Sequence, residues 1–462
     1  MKMSKMKAVA LTAVVTFSVV FFAACDTAGG TTPELPDPNP SVAAEQNNNN
    51  QNENDQNNTN RTAENPGGAG DTTELYDGTT IVNNTMGVIF VEETGEFIMP
   101  SPTNEWAAAN IDHFMPYEEI VRLALLEGEV NWVTSGSRGP EAAAEFMALY
   151  PGITVNIINM GTSDALSRFP IEHAAGMFNL DIMRSADAEG IIYNEFKARS
   201  LMHSYFPYDI LPVIADPDFL LAGMPSYVVL NLIYYNYTFF PDGPPIHSWW
   251  CLTLPEWHGR IIAQDPLTEV RYTSALTTFV KYADLFAEEY ERIFGHPIEL
   301  HPQSPTAAHE WMRRFFANNI IIDNSGSSMN RTVGRPDQTE IFLGWGSSSG
   351  IRRNTDEGLH LAQAMLTPRV SQPNMNYVYI FDQAPNPNAA KLLARFLLGG
   401  QGDSLGIGNS DRNLEGSWLV RTDIPAHPGQ PAPLSEFNLF VHDGEFVYRN
   451  SPAVLDFLLT IR

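Results

Sequence analysis

Ser135-Gly136-Ser137-Arg138 places two hydroxyls and a guanidinium directly before Gly139-Pro140-Glu141, where proline suits the first turn of a helix. Backbone N–H groups left open at such a helix start, beside hydroxyls and a planar cationic fork, suit an oxyanion or a carboxylate. Plainer uses exist for both: Ser135 as a helix cap, Arg138 as the partner of a surface acid. Ser185 and Asp187 follow a later strand in the matching position, where ligand contact and capping are both open. Gly344-Trp345-Gly346-Ser347-Ser348-Ser349-Gly350 adds hydroxyls from Ser347 and Ser348, with Trp345 either a stacking wall or core filling. Tyr227 is a further candidate contact, in the β-branched and aromatic run 226–237.

Metal and covalent chemistry find less support. Tyr234 and Tyr235 are adjacent in that run, and neighbours on a strand face opposite sides, so they cannot share one ion. His173, His203, His247, His258, His301 and His309 are scattered without metal-ligand spacing. No G-x-S-x-G elbow, P-loop or dinucleotide fingerprint is expected at a strand–helix junction, and no obvious nucleophile has a placed base. Neither an enzyme nor a cofactor is expected.

The chain that must hold these groups reads as exported and acidic. Lys2, Lys5 and Lys7 precede an apolar run from Ala8 to Phe22, short for a membrane span, and Phe22-Ala23-Ala24-Cys25 closes it. Residues 1–25 read as a cleavable signal and resemble the bacterial lipoprotein signal, whose lipobox cysteine is lipidated and becomes the mature N-terminus. An ordinary secretory signal with Cys25 incidental is the alternative. Residues 26–75, with PELPDPNP and QNNNNQNENDQNNTN, hold almost no large apolar side chains and read as a disordered, hydrated tether. The 462 residues include 27 basic and 54 acidic ones, a formal charge of −27, which argues against nucleic acid as a partner. Cys251 is the only cysteine besides Cys25, so no internal disulfide framework exists and core burial must stabilise the fold. Between Trp250 and Leu252, Cys251 reads as a small buried hydrophobe.

Residues 76–115 read as an N-terminal extension with a small β element. From residue 116 the pattern changes. PYEEIVRLALLEGE predicts a helix, 130–135 a strand, PEAAAEFMALY a helix, 153–160 a strand, Thr162-Ser163-Asp164 the cap of a third helix and 180–183 a third strand. The alternation returns with a strand over 260–265, one long helix over 273–290, a helix at AAHEWMRRFFAN and a strand over 340–346. It predicts an α/β fold with mostly parallel sheets in two lobes. The run 226–237 crosses from one lobe to the other, and NYVYIF (376–381) returns. Lobe 1 then comprises 116–230 and 376–462, and lobe 2 comprises 231–375.

Four segments carry a family resemblance: EEIVRLALLEGEVNWVTSGSRGPEAAAEFMALYPGITV, LDIMRSADA, YNYTFFPDGPPIHSWWCLTLPEWHGRIIAQDP and APNPNAAKLLARFLLGGQG. In that order, over roughly 116–462, they resemble the extracellular solute-binding proteins of ABC importers, the iron(III)-type and related family 1 binders. The resemblance implies the periplasmic-binding-protein type II clamshell, two α/β lobes joined by two crossover strands and closing on a ligand by hinge motion. It implies a monomer that carries a small-molecule solute to an ABC permease, held in the cell envelope by a lipid anchor and facing periplasm or exterior. It also implies contacts from Asp265, at the family's Asp-Pro position, followed by Thr268 and Tyr272. Thr268-Glu269-Val270-Arg271 replaces the glycine-rich turn usual there, which removes the easy approach of backbone to ligand. Ferric members place a tyrosine pair near the strand at 340–346; serines stand here, and they are weak metal ligands. A small polar solute or oxyanion is therefore expected, with no metal. A ferric-iron import component, and a sensor or surface lipoprotein without a transporter, are the alternatives.

Overall fold

The structure, a computed structural model, describes residues 72–74, 80–82, 87–134, 138–408 and 410–462. The export signal with Cys25, nearly all of the tether, and Ser135 and Ser137 lie outside the described residues.

The first lobe forms as its sequence pattern requires. Helix α1 (Tyr117–Glu127) stops at Gly128, whose φ of 74° is left-handed and open chiefly to glycine. Strand β1 (Glu129–Val133) follows, then α2 (Gly139–Leu149) with Pro140 in its first turn, β2 (Thr154–Ile158), α3 (Thr162–Ala174) and β3 (Ile182–Ala186). β1 pairs in parallel with both β2 and β3, so the strand ends point the same way. The cap expected from Thr162-Ser163-Asp164 is absent: Gly161 takes the cap position without a side-chain bond, and the Thr162 hydroxyl meets Ser185 Oγ at 2.7 Å.

Strand β4 (Met224–Asn236) is buried along all 13 residues. The second lobe then builds β5 (Ile261–Ala263), α4 (Val270–Lys281), α5 (Ala283–Phe294), α6 (Ala307–Ala317), β6 (Leu343–Ser347) and β7 (Leu361–Ala364). The single helix expected over 273–290 breaks at Tyr282. The break lets Phe279 and Phe286, one from each half, pack 4.8 Å apart and both against Trp311. The chain returns through β8 (Pro373–Phe381), and α7 (Pro387–Leu397) and α8 (Gly444–Ile461) complete the fold.

β4 belongs to both lobes. Residues 224–230 pair with β8, while 231–236 pair with β6 and β7. The hydrophobic cores divide along the same strand: Leu232 packs in the first and Ile233 in the second. β8 itself pairs only within the first lobe, so the second crossing falls at 365–372, before the segment expected to make it. α8 packs Val454 and Leu458 into the second core, although it ends the 376–462 stretch read as lobe 1. The extension is not loosely appended. Val88 enters the first core, Asn104 Nδ2 donates to Asp382 Oδ1 at 2.8 Å, and Lys391 Nζ donates to the Asn110 carbonyl at 2.8 Å.

One buried acid organises the second lobe and gives a pH prediction. Glu310 accepts from Arg313 Nε (3.0 Å), Arg314 Nε (2.7 Å) and Ser304 Oγ (2.7 Å). Burial alone would raise its pKa, but these donors bring it down to about 2. A carboxylate depressed on folding stabilises fully above its unfolded pKa and loses that stabilisation as pH falls toward the folded value. Glu310→Gln is therefore expected to cost about 2 kcal/mol at pH 7 in urea unfolding. The gap to the parent should close between pH 5 and pH 2, and a constant gap would refute the assignment.

Candidate ligand-binding cleft

Where the two cores meet lies a cleft of about 580 Å³, within the range of small-molecule sites. The first lobe lines it with Thr162, Ser163 and residues 183–189, at the carboxyl end of β3. Tyr227 of β4 and Asn374 and Asn376 of β8 form its back. Glu269, Val270 and Arg271 at the start of α4, with Ser347, Ser349 and Arg352 beyond β6, face them from the second lobe. Arg412 and Ser417 close one side.

Four guanidinium groups, those of Arg184, Arg271, Arg352 and Arg412, line the cleft. Arg184 and Asp411, 3% and 1% exposed, form a two-point ion pair with one contact at 3.3 Å. Burial would lower the Arg184 pKa, and the Asp411 carboxylate more than offsets it. Arg184 and Arg412 flank the Tyr227 ring, their guanidinium carbons 5.3 and 5.0 Å from its centroid. Arg412 Nε lies 3.2 Å from Asp411 Oδ2 but is not aligned for a hydrogen bond. Arg352 has only a 3.5 Å ion pair with Asp356. Burial, Arg353, Arg138 and Arg412 pull its pKa down, Asp356 opposing them. Arg352 is thus a cation among cations.

Three acids, Asp187, Glu189 and Glu269, line the same cleft. Asp187 accepts from the N–H groups of Ile192 (2.9 Å) and Tyr193 (2.8 Å), a cap for the helical turn that follows. Burial raises its pKa to about 6, with those bonds and Lys197 opposing. Glu269 is paired with Arg271 at 3.4 Å. Among the described residues Glu189 has no hydrogen-bond or ion-pair partner, and burial, with Asp187 adding, raises its pKa.

The residues singled out from sequence divide into three groups. Ser185, Asp187, Tyr227 and Ser347 line the cleft, and Arg138 lies near enough for its charge to act on Arg352. Ser135 and Ser137 are not described. Asp265, Thr268, Tyr272, Trp345 and Ser348 lie off the cleft wall. Asp265 caps Leu267 N at 3.0 Å and pairs with Arg462, and the Thr268 hydroxyl donates to the Asp265 carbonyl at 3.3 Å. Tyr272 donates to the Trp345 carbonyl at 2.6 Å, and Trp345 is 2% exposed, 5.4 Å from Trp249 in an aromatic cluster. Gly346 to Gly350 also spells G-x-S-x-G around Ser348, the spacing of a hydrolase nucleophile turn. Ser348 Oγ, however, donates to the Gly416 carbonyl (2.6 Å) and accepts from Leu230 N (2.8 Å). Both its partners are backbone groups, so no side-chain base holds it. Tyr234, buried, donates to the carbonyls of Ser347 and Ser348 at 2.8 and 2.7 Å.

Arg184, Glu189, Arg352, Arg412, Asn374 and Asn376 were not anticipated. A signal existed for Arg352: Arg352-Arg353 directly follows the serine-glycine turn in a chain with twice as many acids as bases. Arg412 carries none. Among the described residues no three His, Cys, Asp or Glu side chains meet as a metal site needs, and no helix is long and apolar enough to cross a membrane.

No family model and no curated protein matches the sequence. Solved structures do resemble it. Iron-bound HitA from Pseudomonas aeruginosa superposes with a TM-score of 0.54 at 14% identity, over 72% of this chain and 99% of that one. The periplasmic binding protein AfuA from Actinobacillus pleuropneumoniae, with exogenous fructose-6-phosphate bound, gives 0.52 at 18%, over 71% and 95%. An ABC transporter from Clostridium perfringens gives 0.51 at 13%, over 72% and 99%. At these identities the likeness concerns architecture, and the fold is the periplasmic-binding-protein type II fold.

Proposed function

We infer that this chain captures a small polar solute or oxyanion in the cleft and delivers it to the permease of an ABC importer. The observation that carries the reading is the cleft itself: about 580 Å³ between two cores that share strand β4, with Arg352 and Arg412 on its lining and crowded by other guanidiniums. Two lobes joined by crossing segments can hinge, and a ligand touching both stabilises the closed form by its differential affinity. No covalent step is needed. The neighbours' names agree with this role and differ in cargo, iron for HitA and a sugar phosphate for AfuA. The serines and arginines of this cleft favour an oxyanion over ferric ion. A lipid on Cys25 would keep the protein at a membrane facing periplasm or exterior, and intact-mass analysis of the mature chain tests that modification.

Thermal unfolding against a panel of metals, phosphonates, phosphate esters, polyamines and oligosaccharides tests the solute reading. A ligand at 100 times its Kd adds about 2.7 kcal/mol, so a rise of several degrees is expected from at least one class. A flat response across all classes would overturn it.

A further inference from the structure

We propose that the solute is a zwitterion, an organic phosphate or phosphonate bearing an amine, with its anion at Arg352 and Arg412 and its amine at Glu189. The inference rests on the solute-capture reading and names the substrate class. Its ground is the inventory of unspent charge in the cleft. Of the acids lining it, Asp187 is engaged by two backbone N–H groups and Glu269 by Arg271, which leaves Glu189 without a partner. Of the bases, Arg184 is committed to Asp411 and Arg271 to Glu269. Arg352 and Arg412 keep donors available, and the charge of Arg138 acts on Arg352 as well.

A partly buried carboxylate left unpaired is costly, and so is a cluster of like-charged guanidiniums. A ligand that answers only the arginines would seal Glu189 unpaired in the closing cleft. A ligand with a positive group answers both. The acid and the arginines are close: Glu189 lies five positions after Arg184, which stacks on the same Tyr227 ring as Arg412, so the chain between them spans at most about 17 Å. Glu189 is also held where the lobes touch. Ser274 Oγ of α4 donates to the neighbouring Ala188 carbonyl at 2.6 Å. On its other side Gly190, at φ 70°, packs so tightly on Gly444 of α8 that a Cβ there would lie 2.4 Å from the Gly444 carbonyl oxygen. Capture of the amine is therefore coupled to closure of the lobes.

The test is calorimetric titration of the full chain with matched pairs, glucosamine 6-phosphate against N-acetylglucosamine 6-phosphate and phosphoethanolamine against its N-acetyl derivative. The free amine should bind at least tenfold more tightly in each pair. Glu189→Gln should abolish that preference, weakening the free-amine member of each pair toward its acetylated partner. Because Glu189 holds no partner, the variant should melt no lower than the parent, which separates loss of recognition from loss of fold. Equal affinities within both pairs, or a preference that survives Glu189→Gln, would overturn the zwitterion while leaving solute capture standing. Failure of all four compounds and of inorganic phosphate would remove the anion site and the zwitterion with it, while solute capture would be decided by the wider panel.

Discussion

Replacing Arg352 and Arg412 together with alanine is expected to weaken binding of glucosamine 6-phosphate by about 100-fold or more, with no fall in melting temperature. Each guanidinium offers charge-assisted hydrogen bonds worth about 1.5–3 kcal/mol to an oxyanion, and two such losses exceed the 2.8 kcal/mol that corresponds to about 100-fold. The unchanged stability follows from the free protein. Arg352 is crowded by Arg353, Arg138 and Arg412, and its one acid, Asp356, lies 3.5 Å away. Removing it relieves repulsion and sacrifices only a partly exposed ion pair, a small effect. A parent and double variant with equal affinity would show that the arginines do not face the ligand. A large drop in melting temperature would show instead that they hold the fold.

Asp411→Ala should have the largest effect on stability, about 3–5 kcal/mol by denaturant unfolding, because it strands a buried cation. Arg184 is 3% exposed and its acid partner 1%, so neither can turn to water once the other is lost. Asp411 also lies against Arg412, so its loss takes the acid partner from a second guanidinium of the cleft. Replacing both members of the pair, as Arg184→Met with Asp411→Leu, should recover most of the loss, since the penalty lies in the unpaired charge rather than in the absent attraction. If the single and the double replacement cost the same, the pair is not the buried unit described.

The alternation of strands and helices was legible because it is local. Apolar spacing, Pro140 in a first turn and Gly128 after a last one specify α1 through α2 from near neighbours alone. The thirteen-residue apolar strand that both lobes share was legible for the same reason. The break at Tyr282 was not, since both halves of 273–290 keep a helical pattern and only the packing of Phe279 and Phe286 on Trp311 separates them. The second crossing was misplaced by a few residues because β8 is β-rich whether it crosses or merely pairs.

The site was less legible than the frame. Ser185, Asp187, Tyr227 and Ser347 could be placed at strand ends or on a crossing strand, and strand ends border the cleft. Trp345 and Tyr272 occupy equally suggestive positions, yet their side chains turn into the aromatic core of the second lobe.

Amino-acid order by itself determined the two α/β lobes, the strand that links them and the excess of acid over base. Only the tertiary structure decided that Arg184, Arg352 and Arg412 would converge, that Asp411 would neutralise one of them, and that Glu189 would line the same cleft. The physical reason is range. Helix and strand periods are set by residues a few positions apart, whereas the charge balance of a cleft is set by side chains that meet only after both cores have formed.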